Sequence, residues 1–228
     1  MLNKIYFKLN EIEVRSFKEL QDNNKIPLLN YIFLIIKGIF SLTESLIRNI
    51  SGPFGFLIRR FYYKLVFKRM GDDVLIDTGV IFNGAHNVSC GNRVWIDSYT
   101  LISMPISEIE IGNNIHIHSH IYMGGREKIT INDNAGISSG SKLFTGGMKI
   151  VDREKTLFHP LIKDIDPETI NSGPIVVGEN SMILSNCVIS PNTNIGKGSI
   201  VLSGSFLTKS TEPYSIFAGV PASQIGNR

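Results

Sequence analysis

The chain has 228 residues, of which 43% are apolar, and its 21 Gly and 9 Pro follow no collagen-like period. This composition is typical of a globular protein long enough to bury a core, and it excludes a disordered tail or a fibrous rod. The net charge of +3 is unevenly divided: residues 1–69 carry 12 Lys and Arg against 5 Asp and Glu, whereas residues 70–228 carry 11 against 15. The basic excess therefore belongs to the N-terminal segment alone.

Residues 1–69 are predicted to form a helical, basic and amphipathic segment. Around residues 27–50 the chain is strongly apolar, but the charge-free stretch 26–36 is only 11 residues long and Lys37 follows it. A membrane-spanning helix needs about 20 apolar residues, and a charge at mid-membrane is costly, so a crossing helix is not expected.

Residues 53–69 place Arg60, Lys64 and Lys68 on one helical face, with apolar side chains on the opposite side. This is the pattern of a basic amphipathic helix that lies on a membrane surface. The same pattern suits a helix packed on the main domain or on a neighbouring subunit. We therefore expect residues 27–69 to dock on one of these surfaces.

Cys90 and Cys187 are too few and too far apart to indicate a disulfide framework or a CxxC metal site. The N-terminus has no continuous apolar core followed by a small-residue cleavage site, so it does not resemble a secretory signal. We expect a cytoplasmic protein, with peripheral contact at the inner face of the membrane if residues 27–69 bind lipid.

The strongest signal is a six-residue repeat in the C-terminal part of the chain. Aliphatic side chains recur there at Val177, Ile183, Ile189, Ile195, Val201 and Leu207. Asn or Gly stands three residues after most of them, and a small residue four after each. Asn and Gly tolerate tight turns, so each hexad is predicted to be a short strand followed by a turn.

The same frame continues N-terminally in looser form, with coils beginning at residues 70, 90, 111, 131, 177 and 195. Three hexads make an 18-residue triangular coil, and the long step after residue 131 contains an inserted loop of 28 residues, 149–176. The repeat predicts a parallel β-helix over residues 70–228, in which each coil contacts only its neighbours.

The hexads IGNNIH, VGENSM and IGKGSI, and the ending GVPASQIG, resemble the left-handed β-helix hexapeptide-repeat acyltransferases. The likeness is strongest to the maltose and galactoside O-acetyltransferases and to polysaccharide-modifying relatives. It implies a mainly β fold, a left-handed parallel β-helix of about six coils preceded by a helical segment. It also implies a homotrimer with active sites in the clefts between subunits and acetyl-CoA as co-substrate.

Acyl transfer needs a base near neutral pKa, and histidine is the natural candidate. By the resemblance, the family's catalytic His position is occupied by Met148, and an acceptor-binding Asn position by His118. Our hypothesis is that His118 is the general base, with His120 or His116 as second candidates. His118 and His120 could each instead be a plain surface histidine, because both lie outside the aliphatic column.

We expect His116, Met148 and His159 to line the acceptor site, the last from the inserted loop, where an ordinary loop residue is the alternative. Three alternating histidines, His116, His118 and His120, could also indicate a metal site. The indication is weak because no Cys or carboxylate is expected beside them, and no metal is predicted.

The resemblance places CoA along the C-terminal coils. Ser185 and Ser203 are 18 residues apart, so they stack on adjacent coils at two small positions that contact CoA in the family. Thr208 and Lys209 match the family's Thr-Lys pair, in which the lysine supplies a cation for a CoA phosphate. The serines are equally explained as small residues that allow tight stacking.

The expected function is acetyl-CoA-dependent O-acetylation of a sugar hydroxyl in a surface polysaccharide or its lipid-linked precursor. Two alternatives stay open. One is an N-acyltransferase of an amino sugar nucleotide, and the other is a β-helix binding or scaffold protein in which Met148 marks lost catalysis. Nucleic-acid binding is not expected, because the basic face is short and accompanied by apolar aromatics rather than exposed stacking platforms.

Overall fold

The computed structural model describes residues 2–23, 25–148 and 170–228. Three helices come first: α1 (Leu2–Asn23), α2 (Leu28–Arg48) and α3 (Gly52–Val66). Helix α3 ends before Lys68, so only Arg60 and Lys64 of the predicted basic face lie on it. Among the helices of the described residues, only α2 is long enough and apolar enough to cross a membrane, with a mean hydropathy of 1.4.

Helix α3 is fastened to the rest of the chain by Arg59, which is fully buried. Its Nε donates to the Ile76 carbonyl at 2.8 Å, and its Nη1 donates to the Ile50 carbonyl at 2.5 Å. A side chain at position 55 would collide with the Ile50 carbonyl, which explains the glycine there. The guanidinium thus ties the helical segment to the first coil.

The strands follow in coils of three. Each coil is triangular and contributes one strand to each of its three sides. The first three coils contain β1 (Arg69–Met70), β2 (Val74–Ile76), β3 (Ile81–Asn83), β4 (Val88–Cys90), β5 (Val94–Ile96), β6 (Leu101–Ser103), β7 (Ile109–Ile111), β8 (Ile115–Ile117) and β9 (Tyr122–Gly124). The fourth contains β10 (Ile129–Ile131), β11 (Gly136–Ile137) and β12 (Lys142–Phe144), followed by β13 (Gly146–Met148) and β14 (Ile170–Ser172). The last coils contain β15 (Ile175–Val177), β16 (Met182–Ile183), β17 (Val188–Ile189), β18 (Thr193–Ile195), β19 (Ile200–Val201) and β20 (Phe206–Leu207), and the chain closes with β21 (Ser215–Gly219) and β22 (Ala222–Asn227).

The parallel β-helix of about six coils is confirmed. One side stacks β1, β4, β7, β10, β15 and β18, and the register pairs Ile131 with Val177 across the inserted loop. The second side runs from β2 to β19 and is closed by the antiparallel pair β21 and β22, and the third side runs from β3 to β20. We call these sides A, B and C.

The core is the predicted aliphatic column. Every aliphatic position of the frame from Ile76 to Leu207 is at most 4% exposed, and Met70 at the first coil is partly buried. The corners confirm the turn prediction, because Asn180, Asn186 and Asn192 adopt φ between 57° and 59°. A left-handed backbone is costly for most residues and tolerable for Asn and Gly, so the repeat places them where the chain must turn.

Candidate active site

His116 lies in the middle of β8, between Ile115 and Ile117, which point into the core. Successive side chains of a strand alternate between faces, so the imidazole points outward from side B. His118 comes directly after the strand, and its amide donates to the Ile137 carbonyl at 2.9 Å. Both rings are half-buried on the outer surface of the third coil.

Asp97 joins the two imidazoles from the coil before. The register pairs Ile96 of β5 with Ile117 of β8. The residues that follow them, Asp97 and His118, therefore lie side by side on adjacent coils. Asp97 Oδ1 accepts a hydrogen bond from His116 Nε2 at 3.1 Å, and Asp97 Oδ2 lies 3.6 Å from His118 Nδ1. The expectation that no carboxylate stands beside these histidines is therefore wrong, because the carboxylate comes from the preceding coil and not from the adjacent sequence.

Three influences act on His118. Desolvation and the neighbouring His116 lower the pKa of His118 from its usual value, and the Asp97 charge partly opposes them by raising it. A lowered pKa keeps the imidazole neutral near pH 7, and a neutral ring is the form that accepts a proton.

Aromatic rings continue this surface. Trp95 stacks on His116 with centroids 5.0 Å apart, and His116 stacks on His118 at 3.8 Å. Trp95 is 45% exposed, so part of its indole remains open to a ligand.

Asp97, His116 and His118 also offer three ligand atoms within 4.8 Å of one another, a set that could hold a metal ion. The planes of the two imidazoles are only 28° apart in a stacked arrangement. Imidazole lone pairs lie in the ring plane, so those of stacked rings run side by side instead of converging on one ion. The geometry favours a hydrogen-bonded acid–base group over a metal centre.

His120 is separate from this group. It occupies a corner with φ of 59°, and its ring stacks on Tyr99, the corner residue of the previous coil, at 5.5 Å. His120 is exposed and turned toward the corner between sides B and C. Its position is that of a turn residue, where most other coils have Asn or Gly.

The predicted CoA serines lie on the same corner as His118. Hydrogen bonds between consecutive coils link Gly140 to Ser119, Asn186 to Ser139 and Gly204 to Ser185, so Ser119, Ser139, Ser185 and Ser203 form one column. His118 directly precedes the first of them. With coils about 4.8 Å apart, Ser185 and Ser203 lie about 10 and 14 Å along the axis from His118.

The remaining predicted residues are elsewhere. Thr208 and Lys209 are exposed just after β20, one side of the triangle away from the serine column. Met148 ends β13, which pairs antiparallel with β14 at the base of the inserted loop, after side C. Within one chain Met148 is therefore at a different corner from His118. His159 lies outside the described residues.

The side chains of His116 and His118 are 39% and 38% exposed to solvent. A groove of about 1010 Å³ lies between α1 and a corner of the first coils, lined by Phe7, Phe17, His86 and Ile106. It contains none of the candidate site residues. The His118 corner of a single chain is an open surface.

Known proteins resemble this chain over most of the β-helix. The family model for bacterial transferase hexapeptide repeats matches residues 174–209. The dTDP-4-amino-4,6-dideoxy-D-glucose acyltransferase of Escherichia coli is 27% identical over 162 residues, which are 71% of this chain and 83% of that protein. The galactoside O-acetyltransferase of Escherichia coli K12 is 30% identical over 131 residues, 58% of this chain and 59% of that one.

Among solved structures, AntD, an N-acyltransferase from Bacillus cereus in complex with dTDP and 3-hydroxybutyryl-CoA, superposes with a TM-score of 0.65 at 25% identity. The superposition covers 75% of this chain and 88% of AntD. Together with the stacked hexads, these matches show that the chain shares its hexapeptide-repeat β-helix with known acyltransferases.

Proposed function

We propose that the protein transfers an acyl group from acyl-CoA to a sugar, with His118 as the general base. The observation that carries this proposal is the Asp97–His118 contact on the corner that also presents Ser185 and Ser203. A neutral imidazole and a column of small residues share one edge of the β-helix. The complexes of relatives with CoA and with 3-hydroxybutyryl-CoA support an acyl-CoA donor.

The mechanism follows from the imidazole. With the proton on Nδ1 facing Asp97, Nε2 of His118 takes the proton of the acceptor hydroxyl as its oxygen attacks the thioester carbonyl carbon. The tetrahedral intermediate collapses, the carbon–sulfur bond breaks, and the CoA thiolate leaves with the proton that the imidazolium returns. Asp97 stabilises the imidazolium while it is charged, since its carboxylate is 3.6 Å away.

On the acceptor side we propose O-acetylation of a sugar hydroxyl in a surface polysaccharide or its lipid-linked precursor. Trp95 and Tyr99 are both exposed beside the imidazoles. Aromatic faces pack against the apolar faces of sugar rings, so these rings suit a saccharide acceptor. Galactoside O-acetyltransferase, which acts on such an acceptor, supports this choice.

Transfer to an amino sugar nucleotide is the second candidate. It is favoured by the extent of the similarity, because the dTDP-amino sugar acyltransferase is matched over 83% of its length and the galactoside enzyme over 59%. The same base would then take a proton from an amine. The product distinguishes the two, since an ester is cleaved by alkali and an amide is not.

We further propose a homotrimer in which a neighbouring subunit covers the open His118 corner. The inserted loop, with Met148 at its base and His159 within it, would then reach a neighbour's cleft. Lys209 would supply the cation for a CoA phosphate from the end of side C.

The test measures CoA release from acetyl-CoA with mono- and oligosaccharide acceptors and with an amino sugar nucleotide. We expect transfer by the wild-type protein and a loss of about 10²–10⁴-fold in His118→Gln. His120→Gln is the matched control and is expected to stay within about threefold of wild type, since His120 stacks on Tyr99 and does not contact Asp97. An active His118→Gln variant would overturn the base assignment, and a protein that binds no CoA would be a scaffold.

A further inference from the structure

Helix α2 is oriented with its charges inward and its apolar residues outward. Lys37 and Glu44, its only charged residues before the last turn, are less than 9% exposed. Six apolar side chains on the opposite side are each at least 55% exposed: Leu28, Ile32, Ile35, Ile39, Leu42 and Leu46. We call these six residues the α2 stripe. A soluble helix normally buries such a stripe, so a further surface must cover it.

The inward side is fixed by a polar network. Glu44 accepts hydrogen bonds from the hydroxyls of Tyr6 at 3.0 Å and Tyr63 at 3.1 Å. Lys37 Nζ donates to Asn10 and lies 4.1 Å from the centre of the Tyr6 ring. Rotating α2 to bury the stripe would break all these bonds, so the outward orientation is a property of the folded chain.

The stripe has alternating spacings of four and three residues, which also describes the seam of a coiled coil. In a coiled coil the positions flanking the seam usually carry the charges that select a partner helix. Here those positions hold only uncharged residues: Leu29, Tyr31, Ile36, Gly38, Thr43 and Ser45. A broad apolar face without charged flanks fits hydrocarbon better than it fits a second copy of the helix.

Helix α3 also has an exposed apolar side, and it adds positive charge beside it. Phe54, Leu57, Phe61 and Leu65 are exposed along one side of it. Arg60 and Lys64 each precede one of these apolar residues, so they lie along the edge of this apolar side. A cationic edge beside an apolar face complements anionic lipid headgroups above acyl chains.

Helix α2 would lie along the surface of the bilayer, although its length and composition would let it cross. Its polar side packs on α1, which carries charged residues along its whole length, among them Lys8, Glu11 and Lys18. A crossing α2 would carry these charges into the hydrocarbon or lose the contacts of Lys37 and Glu44. The attachment of Arg59 to the Ile76 carbonyl also holds the helices against the β-helix.

We propose that the α2 stripe and the exposed side of α3 form a docking surface for an anionic lipid bilayer, with Arg60 and Lys64 at the headgroups. This binding is independent of acyl transfer. It would hold the β-helix beside the membrane, where lipid-linked saccharides are found.

The experiment is sedimentation of the full chain with phosphatidylcholine vesicles prepared with and without phosphatidylglycerol. Wild-type protein is expected to bind the anionic vesicles more tightly than the neutral ones. Ile35→Glu combined with Ile39→Glu should weaken binding to both by at least about tenfold. Ile225→Glu, at a 61% exposed position on β22, is the matched control and should bind as wild type.

A second variant pair, Arg60→Gln with Lys64→Gln, should lose only the preference for phosphatidylglycerol, and it leaves the apolar face intact. Two results would overturn the proposal: wild-type protein that stays in the supernatant with anionic vesicles, or an Ile35→Glu/Ile39→Glu protein that binds as wild type. A change in molecular mass of that variant in vesicle-free solution would also overturn it, because the stripe would then be covered by another copy. Transfer to a soluble acceptor should be unchanged in every variant, so failure of the membrane proposal is distinct from failure of the enzymatic one.

Discussion

The substitution Asp97→Asn removes one charge from beside His118 and keeps the shape of the side chain. At 3.6 Å from His118 Nδ1, the carboxylate stabilises an imidazolium by about 1 kcal/mol in bulk water and by about 5 kcal/mol at an effective dielectric constant of 20. The side chains of His118 and Asp97 are 38% and 21% exposed, so solvent screening places the effect near the lower value. We therefore expect transfer to slow by about five- to tenfold, compared with about 10²–10⁴-fold for His118→Gln.

The pH dependence of the same variant gives an independent readout. The base must be neutral to act, so the rate falls as pH drops through the pKa of His118. Because the Asp97 charge raises that pKa, its removal lowers the pKa further and moves the acid limb of the rate profile to lower pH. The assay is kcat/KM for acetyl-CoA-dependent transfer measured from acid to neutral pH.

Asp77→Asn is the matched control for this substitution. Asp77 occupies the equivalent position one coil earlier, where its carboxylate accepts from the Ser98 hydroxyl at 2.7 Å. We expect its rate and pH profile to follow those of wild type. An Asp97→Asn protein with an unchanged rate and an unchanged acid limb, or a limb moved to higher pH, would refute the electrostatic reasoning.

Three further outcomes follow. Ile117→Ala should lower the free energy of unfolding, measured with denaturant, by about 2–5 kcal/mol, because Ile117 is fully buried in the aliphatic column. A loss below about 1 kcal/mol would contradict the stacked column as the source of stability. Lys209→Ala should raise the KM for acyl-CoA several-fold with little change in kcat. Lys142→Ala, at another exposed lysine, is the control. A Lys209→Ala protein with the KM of wild type would show that Lys209 does not bind CoA. Burial and the nearby Lys37 lower the pKa of His86 to about 4, so the unfolded chain binds a proton near pH 6.5 that the folded chain does not, and acid favours unfolding. The free energy of unfolding should fall by up to about 3 kcal/mol between pH 7 and pH 4, and a His86→Gln protein that loses as much over this range would contradict this assignment.

The β-helix could be predicted because each hexad repeats one physical requirement. An aliphatic side chain must fill the interior, and a residue tolerant of left-handed φ must turn the corner, so Ile183 and Asn186 each have equivalents in other coils. The period also placed Ser185 and Ser203 on one column. Local rules suffice where each coil contacts only its neighbours.

Asp97 does not follow from the neighbours of His118 in sequence, because it lies on the preceding coil. The usable signal was present: Asp97 and His118 each come one residue after an aliphatic position, 21 residues apart, which equals the offset between those coils. The distribution of exposure on α2 could not be predicted in the same way. Which side of α2 faces inward depends on Tyr6, Asn10 and Tyr63, whose contacts with α2 come from tertiary packing that no local period encodes.

We propose that acyl transfer takes place beside His118, and a crystal structure of the protein with bound CoA is the decisive test. We predict that the CoA chain follows the corner of Ser185 and Ser203 and that its sulfur lies within about 4 Å of a His118 imidazole of the same or a neighbouring chain. A sulfur held at the Met148 corner with no His118 imidazole in reach would show that His118 is not the base.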